Sequence, residues 1–231
     1  MSLAKTWFSG SALVVFLLLA CSPSLAYSQA AVDSYNHGVN LTSGGNYTLA
    51  VAAFENATAI EPGYFEAWNG IADALNRNGQ FEEALAASNR SLSINPDYVD
   101  GWINRGQILY NIGYKYEDAA HDTDKANQLY AEQLDAFDRA IAIDPQNADA
   151  WFNRAYALAG LKRYDEAIAD FDKVQALDPS YPNLAANRKI AVQLRDASVP
   201  VYADYSIPVA AALAAIVGAV VWFTLKRKKS G

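Results

Sequence analysis

The chain has 231 residues, with 25 acidic and 18 basic side chains and a formal net charge of −7 at pH 7. All the acidic residues lie between residues 27 and 206, so this part is strongly acidic, which argues against nucleic acid as a ligand. Cys21 is the only cysteine, which excludes a disulfide framework.

Residues 1–26 have the layout of a secretory signal peptide. Lys5 precedes the apolar run SALVVFLLLA, and small residues follow in SPSLAYSQA. The run is short for a membrane span, so we predict export with cleavage after Ala26 or Ala30. Two alternatives stay open: an uncleaved N-terminal anchor, and acylation at Cys21, which follows a Leu-Leu-Ala sequence that resembles a bacterial lipoprotein box.

Residues 31–181 repeat with a period of 34. Trp102 follows Trp68 at this spacing. Prolines recur at the same step, except that the step from the second to the third is longer: Pro62, Pro96, Pro145 and Pro179. Such a period indicates helix–turn–helix solenoid units, and we place four of them at 31–64, 65–98, 99–147 and 148–181.

Each unit is predicted to hold two helices. Apolar residues of the second unit share one helix face at spacings of three and four: Trp68, Ile71, Ala72 and Leu75. Gly79 and Gly113, with Gly160 one position earlier in its unit, are predicted to end the first helices. Small residues let paired helices approach and large ones fill the space between pairs: Ala84 and Ala167, then Phe54, Phe137 and Phe171.

The segments FEAWNGIADALNRNGQFEEALAASNRSLSINPDY (65–98) and ADAWFNRAYALAGLKRYDEAIADFDKVQALDPSY (148–181) resemble tetratricopeptide (TPR) repeats. Trp, Gly or Ala, Leu, aromatic, Ala, aromatic and Pro stand at the family's positions. The first unit matches loosely, with Ser34 in place of tryptophan. The resemblance covers roughly two thirds of the chain. It implies an all-α fold, a right-handed α-solenoid (TPR superhelix) whose first helices line a concave groove.

The third unit, 99–147, exceeds the period by about 15 residues, which we place as an insertion within 114–133. The stretch Tyr116 to Ala119 resembles the start of a second helix, and an apolar helical stripe continues to Ile141. The extra length is roughly four helical turns, so we predict a second helix lengthened by about 22 Å that projects past the stack, with Asp122 as its point of breakage. The insertion is either read by a partner or tolerated without a role.

The C-terminal part is predicted to cap the stack and then enter a membrane. Residues 182–197 are predicted to form a capping helix and 198–206 a linker. Residues 207–225 are uncharged, apolar and long enough to span a bilayer as one transmembrane helix. The basic tail, 226–231, is then cytoplasmic and the repeats are extracytoplasmic in a single-pass protein of the cell membrane. Small residues of the span favour a homodimer: Ala211, Ala215 and Gly218.

No constellation of residues predicts catalysis. His37 and His121 are the only histidines and lie in different units, and neither a phosphate-binding glycine loop nor a zinc spacing occurs. We therefore predict that the chain is not an enzyme and has no cofactor and no metal site. Four Asn-X-Ser/Thr sequences are candidate glycosylation sites: Asn40, Asn46, Asn56 and Asn89.

By the resemblance, the groove is lined by first-helix residues: Tyr35, Val39, Asn69, Asp73, Asn76, Ile103, Gln107, Tyr110, Phe152 and Tyr156. None is lysine or arginine, so the clamp for a carboxylate that one large class of TPR proteins uses is not expected. Aromatic rings mixed with amides suit an extended peptide or an amphipathic helix. The alternative is that Tyr110, Phe152 and Tyr156 only pack on neighbouring helices.

The function predicted from these features is that of an exported, membrane-anchored TPR scaffold, which binds a protein or peptide partner in its groove. The alternative function is a structural surface protein that contacts itself or cell-wall polymer.

Overall fold

A computed structural model describes residues 27–198, which form nine α-helices and no strand. The helices are α1 (Gln29–Ser43), α2 (Tyr47–Ile60), α3 (Phe65–Arg77), α4 (Phe81–Ile94), α5 (Val99–Asp118), α6 (Thr123–Ile143), α7 (Ala148–Gly160), α8 (Tyr164–Leu177) and α9 (Leu184–Ser198). The predicted signal peptide, span and basic tail lie outside the described residues. Within 27–198, no helix has both the length and the apolar character needed to cross a bilayer.

The helices stack as pairs in chain order. Each helix packs on the next one along the chain, and each first helix also contacts the first helix of the next pair: α1 with α3, α3 with α5, α5 with α7 and α7 with α9. The first helices therefore form one continuous layer, as in a solenoid. The prediction of an all-α, TPR solenoid-like fold is confirmed for residues 27–198.

A hydrogen bond between tryptophan and proline joins successive units. The indole N–H of Trp68 donates to the carbonyl oxygen of Pro62 over 3.1 Å. The same bond recurs at 2.7 Å from Trp102 to Pro96 and at 3.0 Å from Trp151 to Pro145. Proline ends one unit and the tryptophan lies in the first turn of the next, so the bond fixes the direction in which each new helix leaves the turn.

Aromatic rings of second helices pack against glycines of first helices. A Cβ placed on Gly38 or Gly70 would lie 2.6–2.7 Å from the ring of Phe54, and one placed on Gly106 would lie 2.5 Å from the ring of Phe137. These distances are far below van der Waals contact. Only glycine allows α5 to approach the buried Phe137 so closely.

Replacing Gly106 with alanine is expected to destabilise the stack, although alanine is the better helix former. Overpacking against Phe137 outweighs the gain in helix propensity, which leaves a net loss of about 1–2 kcal/mol. Gly160→Ala is the matched control, because a Cβ at Gly160 meets nothing within 4 Å. Urea unfolding followed by circular dichroism measures both variants, and equal midpoints would contradict the packing argument.

In the second unit, other residues stand in place of the aromatic ring and of the glycine that it packs against. Ser88 stands one repeat after Phe54, and Asn104 stands one repeat after Gly70. Both are buried, so at this interface the larger side chain comes from the first helix and the smaller one from the second. The exchange leaves Ser88 Oγ and Asn104 Oδ1 buried without a hydrogen-bond partner within 27–198.

The prediction of one long second helix in the third unit is wrong. α5 has 20 residues against 13 in α3, and α6 has 21 against 14 in α4, so the insertion lengthens both helices by about 10 Å each. The stretch Tyr116 to Asp118 ends the first helix and does not begin the second. Asp122 is the N-cap of α6, and its side chain accepts a hydrogen bond of 2.9 Å from the backbone N–H of Lys125.

The three glycines that were predicted to end first helices occupy different positions relative to the helix ends in the structure. Gly79 is left-handed (φ 80°) just after α3, as predicted. Gly160 is the last residue of α7, but Lys162 (φ 61°) is the left-handed residue after it. The prediction for Gly113 is wrong: it lies inside α5, where its missing Cβ makes room for the ring of Tyr130, and His121 (φ 51°) takes the left-handed conformation in the turn.

Candidate functional site

A cavity of about 1060 Å³ lies along the layer of first helices. We call it the concave cavity. Its lining includes seven residues from the predicted groove: Tyr35, Val39, Asn69, Asp73, Ile103, Gln107 and Phe152. These residues belong to α1, α3, α5 and α7, so four units contribute to one surface.

The remaining predicted groove residues lie elsewhere. Asn76 does not line the concave cavity; its Oδ1 accepts a hydrogen bond of 2.8 Å from Asn111 of the next first helix. Tyr110 and Tyr156 line a second cavity, described below. The predicted set is therefore divided between two surfaces.

Amides of the groove pair with one another across neighbouring helices. Asn104 Nδ2 donates to Asn69 Oδ1 over 2.9 Å, between α5 and α3. Gln107 Nε2 donates to Asn153 Oδ1 over 3.2 Å, between α5 and α7. These bonds set the register of the first helices, and they use the acceptor of Asn69 and a donor of Gln107, two residues that were predicted to meet a ligand. Burial is the main cause that raises the pKa of Tyr98, and a hydrogen bond from the Asn69 amide opposes it, so one of the two N–H groups of Asn69 is left for a ligand.

The concave cavity is also lined by three carboxylates that were not among the predicted residues: Glu66, Asp100 and Asp149. Each is the second residue of its first helix, in α3, α5 and α7, where the helix dipole favours negative charge. Their positions follow the 34-residue period, with the insertion lying between Asp100 and Asp149. The repeat could therefore have been used to predict them. None of the three forms an ion pair within residues 27–198, whereas Asp73 receives both 2.9 Å bonds of Arg77 Nε.

Tyrosine side chains lie beside these carboxylates, and the negative charge of the carboxylates contributes to raising the pKa of the tyrosine hydroxyl groups. Tyr27 donates to Glu66 over 3.2 Å, and burial followed by the Glu66 charge raises the pKa of Tyr27 to about 12. Burial, then the charges of Glu66 and Asp100, raise the pKa of Tyr35. The rings therefore stay neutral at physiological pH, and the cavity as a whole has a negative potential.

The second cavity, of about 600 Å³, lies between α5, α6, α7 and α9. We call it the tyrosine cavity, after the four tyrosines in its lining: Tyr110, Tyr114, Tyr130 and Tyr156. Ile190 and Leu194 of α9 complete its apolar surface. Tyr110 and Tyr156 are 40% and 57% exposed, and the ring of Tyr110 also lies 6.1 Å from that of Tyr130 on α6. Phe152 is half-buried against Phe171 and Tyr181.

The insertion builds one wall of the tyrosine cavity. Tyr114 and Glu117 lie on the lengthened end of α5 and Asn127 on the lengthened start of α6, while Tyr130 stands where the second helices of the other units begin. Tyr130 donates a hydrogen bond of 2.7 Å to Glu117, which ties the two helices together beside the opening. The inserted residues therefore shape a surface next to the groove.

The four candidate glycosylation residues are all exposed. Asn46 lies in the turn before α2, whereas Asn40, Asn56 and Asn89 lie within helices. Glycosylation at these positions stays a prediction. Within 27–198, no three His, Cys, Asp or Glu residues are placed to hold a metal ion.

Comparison with known proteins identifies the repeats. Two family models, both described as tetratricopeptide repeat, match residues 35–99 and 148–181. The chain therefore contains TPR repeats, and the enlarged third unit lies between the two matches. No curated protein matches the chain significantly.

Solved structures of similar fold include a thermophilic TPR protein, TTC0263 of Thermus thermophilus, with 20% identity, a TM-score of 0.62 and coverage of 80% of this chain and 99% of that one. The MamA protein matches with 17% identity, a TM-score of 0.55 and coverage of 74% and 86%. YrrB, a TPR protein with an unusual peptide-binding site, matches with 18% identity, a TM-score of 0.52 and coverage of 73% and 79%. At these identities the likeness shows the fold alone, which is a scaffold typical of protein–protein interaction and generally non-catalytic.

Proposed function

We propose that this chain is a non-catalytic TPR scaffold that holds a partner protein by binding an extended segment of it in the concave cavity. The observation that supports this proposal is the lining of that cavity, where aromatic rings and hydrogen-bonding groups from four units face one continuous space. Rings such as Tyr35 and Phe152 provide rigid anchors, and the remaining N–H group of Asn69 suits a backbone carbonyl of a peptide.

The charges of the concave cavity restrict the partner. Glu66, Asp100 and Asp149 lack cationic partners within 27–198, and Arg77 is already engaged by Asp73. A like charge brought against these carboxylates would be repelled. The bound segment is therefore neutral or basic, and an acidic C-terminal tail is disfavoured.

The scaffold is also proposed to be exported and held at the outer face of a membrane. Support comes from the sequence, in which residues 207–225 are apolar and Lys226 begins a basic tail. α9 ends at Ser198, and the segment 199–206 reaches at most about 27 Å. The repeats would thus stay close to the bilayer, and protease added outside intact cells is expected to digest them and spare the tail.

A photo-crosslinking residue placed at Gln107, which is exposed in the concave cavity, is expected to capture a partner protein in intact cells. The matched control is the same residue at Glu83, exposed on the second helix α4, where we expect no such product. Mass spectrometry identifies the adduct, and excess neutral or basic peptide from the captured segment should compete. Equal capture at both positions, or adducts of this chain with itself alone, would contradict the proposal; self-adducts alone would favour a structural surface protein.

A further inference from the structure

The tyrosine cavity collects most of the exposed apolar side chains of the solenoid. Nine large apolar residues are exposed within 27–198, and five of them line this cavity: Tyr110, Tyr114, Tyr156, Ile190 and Leu194. Scattered exposed apolar residues need no explanation, but a contiguous group usually marks a surface that something covers.

The walls of this cavity are formed by packed helices. Tyr130 packs against Gly113 and is hydrogen-bonded to Glu117, and its ring lies 6.1 Å from that of Tyr110. Ala191 of α9 is buried at the same site. A covering segment therefore meets a preformed surface and orders only itself on binding.

The chain leaves the last helix beside this cavity. α9 ends at Ser198, one turn after Leu194 of the cavity wall. Residues 199–206 read VPVYADYS, with two valines, two tyrosines and Asp204 as their one charge. A proline at position 200 lacks a backbone N–H and disfavours helical geometry at the residue before it, so the sequence predicts that α9 is not continued through this segment.

The length of this segment matches the distance it has to cover. An extended chain from Ser198 to Tyr202 spans about 13 Å. Ile190 lies two turns before Ser198, which is about 12 Å back along the axis of α9. The tether gives the segment an effective concentration in the millimolar range, which favours it over a free partner of similar affinity.

We propose that residues 199–206 fold back along α9 and fill the tyrosine cavity with their valine and tyrosine side chains. Docked in this way, the segment covers the exposed ends of α5, α7 and α9. It also fixes the orientation of the solenoid relative to residue 207. The concave cavity stays open, so this intramolecular contact is independent of partner binding there.

An engineered disulfide in the full chain tests the contact. In a Cys21→Ser background, Gly160→Cys is combined with Tyr202→Cys; Gly160 lines the cavity, and a Cβ there has open space. Gly63→Cys with Tyr202→Cys is the matched control, because Gly63 is equally open but lies in the turn before α3. We expect an intramolecular disulfide in the first pair, seen as a mobility shift reversed by reductant, and none in the second. Equal yields in both pairs, or a disulfide that joins two chains, would overturn the proposal.

A second measurement does not depend on disulfide geometry. The full chain with residues 199–206 replaced by a Gly–Ser segment of equal length is treated with tetranitromethane, and nitration is mapped by mass spectrometry. Nitration of Tyr114 and Tyr156 is expected to rise several-fold, while that of Tyr164, outside the cavity, stays constant. Unchanged nitration of the cavity tyrosines means that residues 199–206 do not cover them, and the proposal fails.

Discussion

Replacing Asp170 with alanine is expected to lower the free energy of unfolding by about 3 kcal/mol, because it removes the main carboxylate partner of the partly buried Arg154. Arg154 donates two hydrogen bonds of 2.8 Å to the carboxylate of Asp170, whose side chain is 7% exposed. Hydrogen bonding to Asp170 raises the pKa of Arg154, but the arginine stays charged even without this partner, because the ordinary pKa of a guanidinium is far above physiological pH. Arg154 keeps Asp138, which limits the loss to the lower end of the range for buried pairs.

An equivalent arginine–aspartate pair one unit later provides the control. Arg154 pairs with Asp138 of the preceding helix, and Arg188 pairs with Asp172 at the same separation in sequence. The Arg188–Asp172 pair is about half exposed, so Asp172→Ala is expected to cost about 0–1 kcal/mol. Chemical unfolding of both variants measures the difference. Equal losses would mean that burial of Asp170 is not what makes its pair important.

Replacing Phe137 with alanine is expected to cost about 3–5 kcal/mol, the range for removing a fully buried aromatic ring. Phe137 is 1% exposed and packs directly on Gly106 of α5. The loss should appear as a lower midpoint in urea unfolding, with α-helical circular dichroism retained before the transition.

The same interface permits a double-mutant cycle. In the Phe137→Ala background, Gly106→Ala should no longer destabilise the protein, because the ring that its Cβ would meet is gone. A coupling energy of about 2–3 kcal/mol is expected, because the gain of about 1 kcal/mol in helix propensity remains in the Phe137→Ala background and only the overpacking is lost. Additive effects of the two substitutions would contradict the direct contact between the ring and Gly106.

The repeat made the fold predictable because its signals are local and recur four times. Trp68 and Pro62 were recognisable from spacing alone, although the hydrogen bond between them was not. Asn69 and Gln107 line the concave cavity, but their amide partners belong to neighbouring helices. Such pairs depend on the rotation of each helix about its axis, which a period does not specify.

The acidic residues of the groove show a second limit of what the sequence alone can predict. Glu66, Asp100 and Asp149 follow the period, but acidic residues in a first helical turn are explained equally well by the helix dipole. They line one cavity only because the stacked helices bring them together. The half-buried Phe152 lines the same cavity for the same reason.

The order of residues by itself determined the helical class and the four units, because each depends on side chains within one or two turns of each other. Tertiary packing decided the rest. Whether Gly113 ends a helix or lies inside one depends on Tyr130 of the next helix, and this contact divides the insertion equally between α5 and α6. The two cavities likewise exist only where helices from different units meet, since their walls combine side chains that are far apart in the chain.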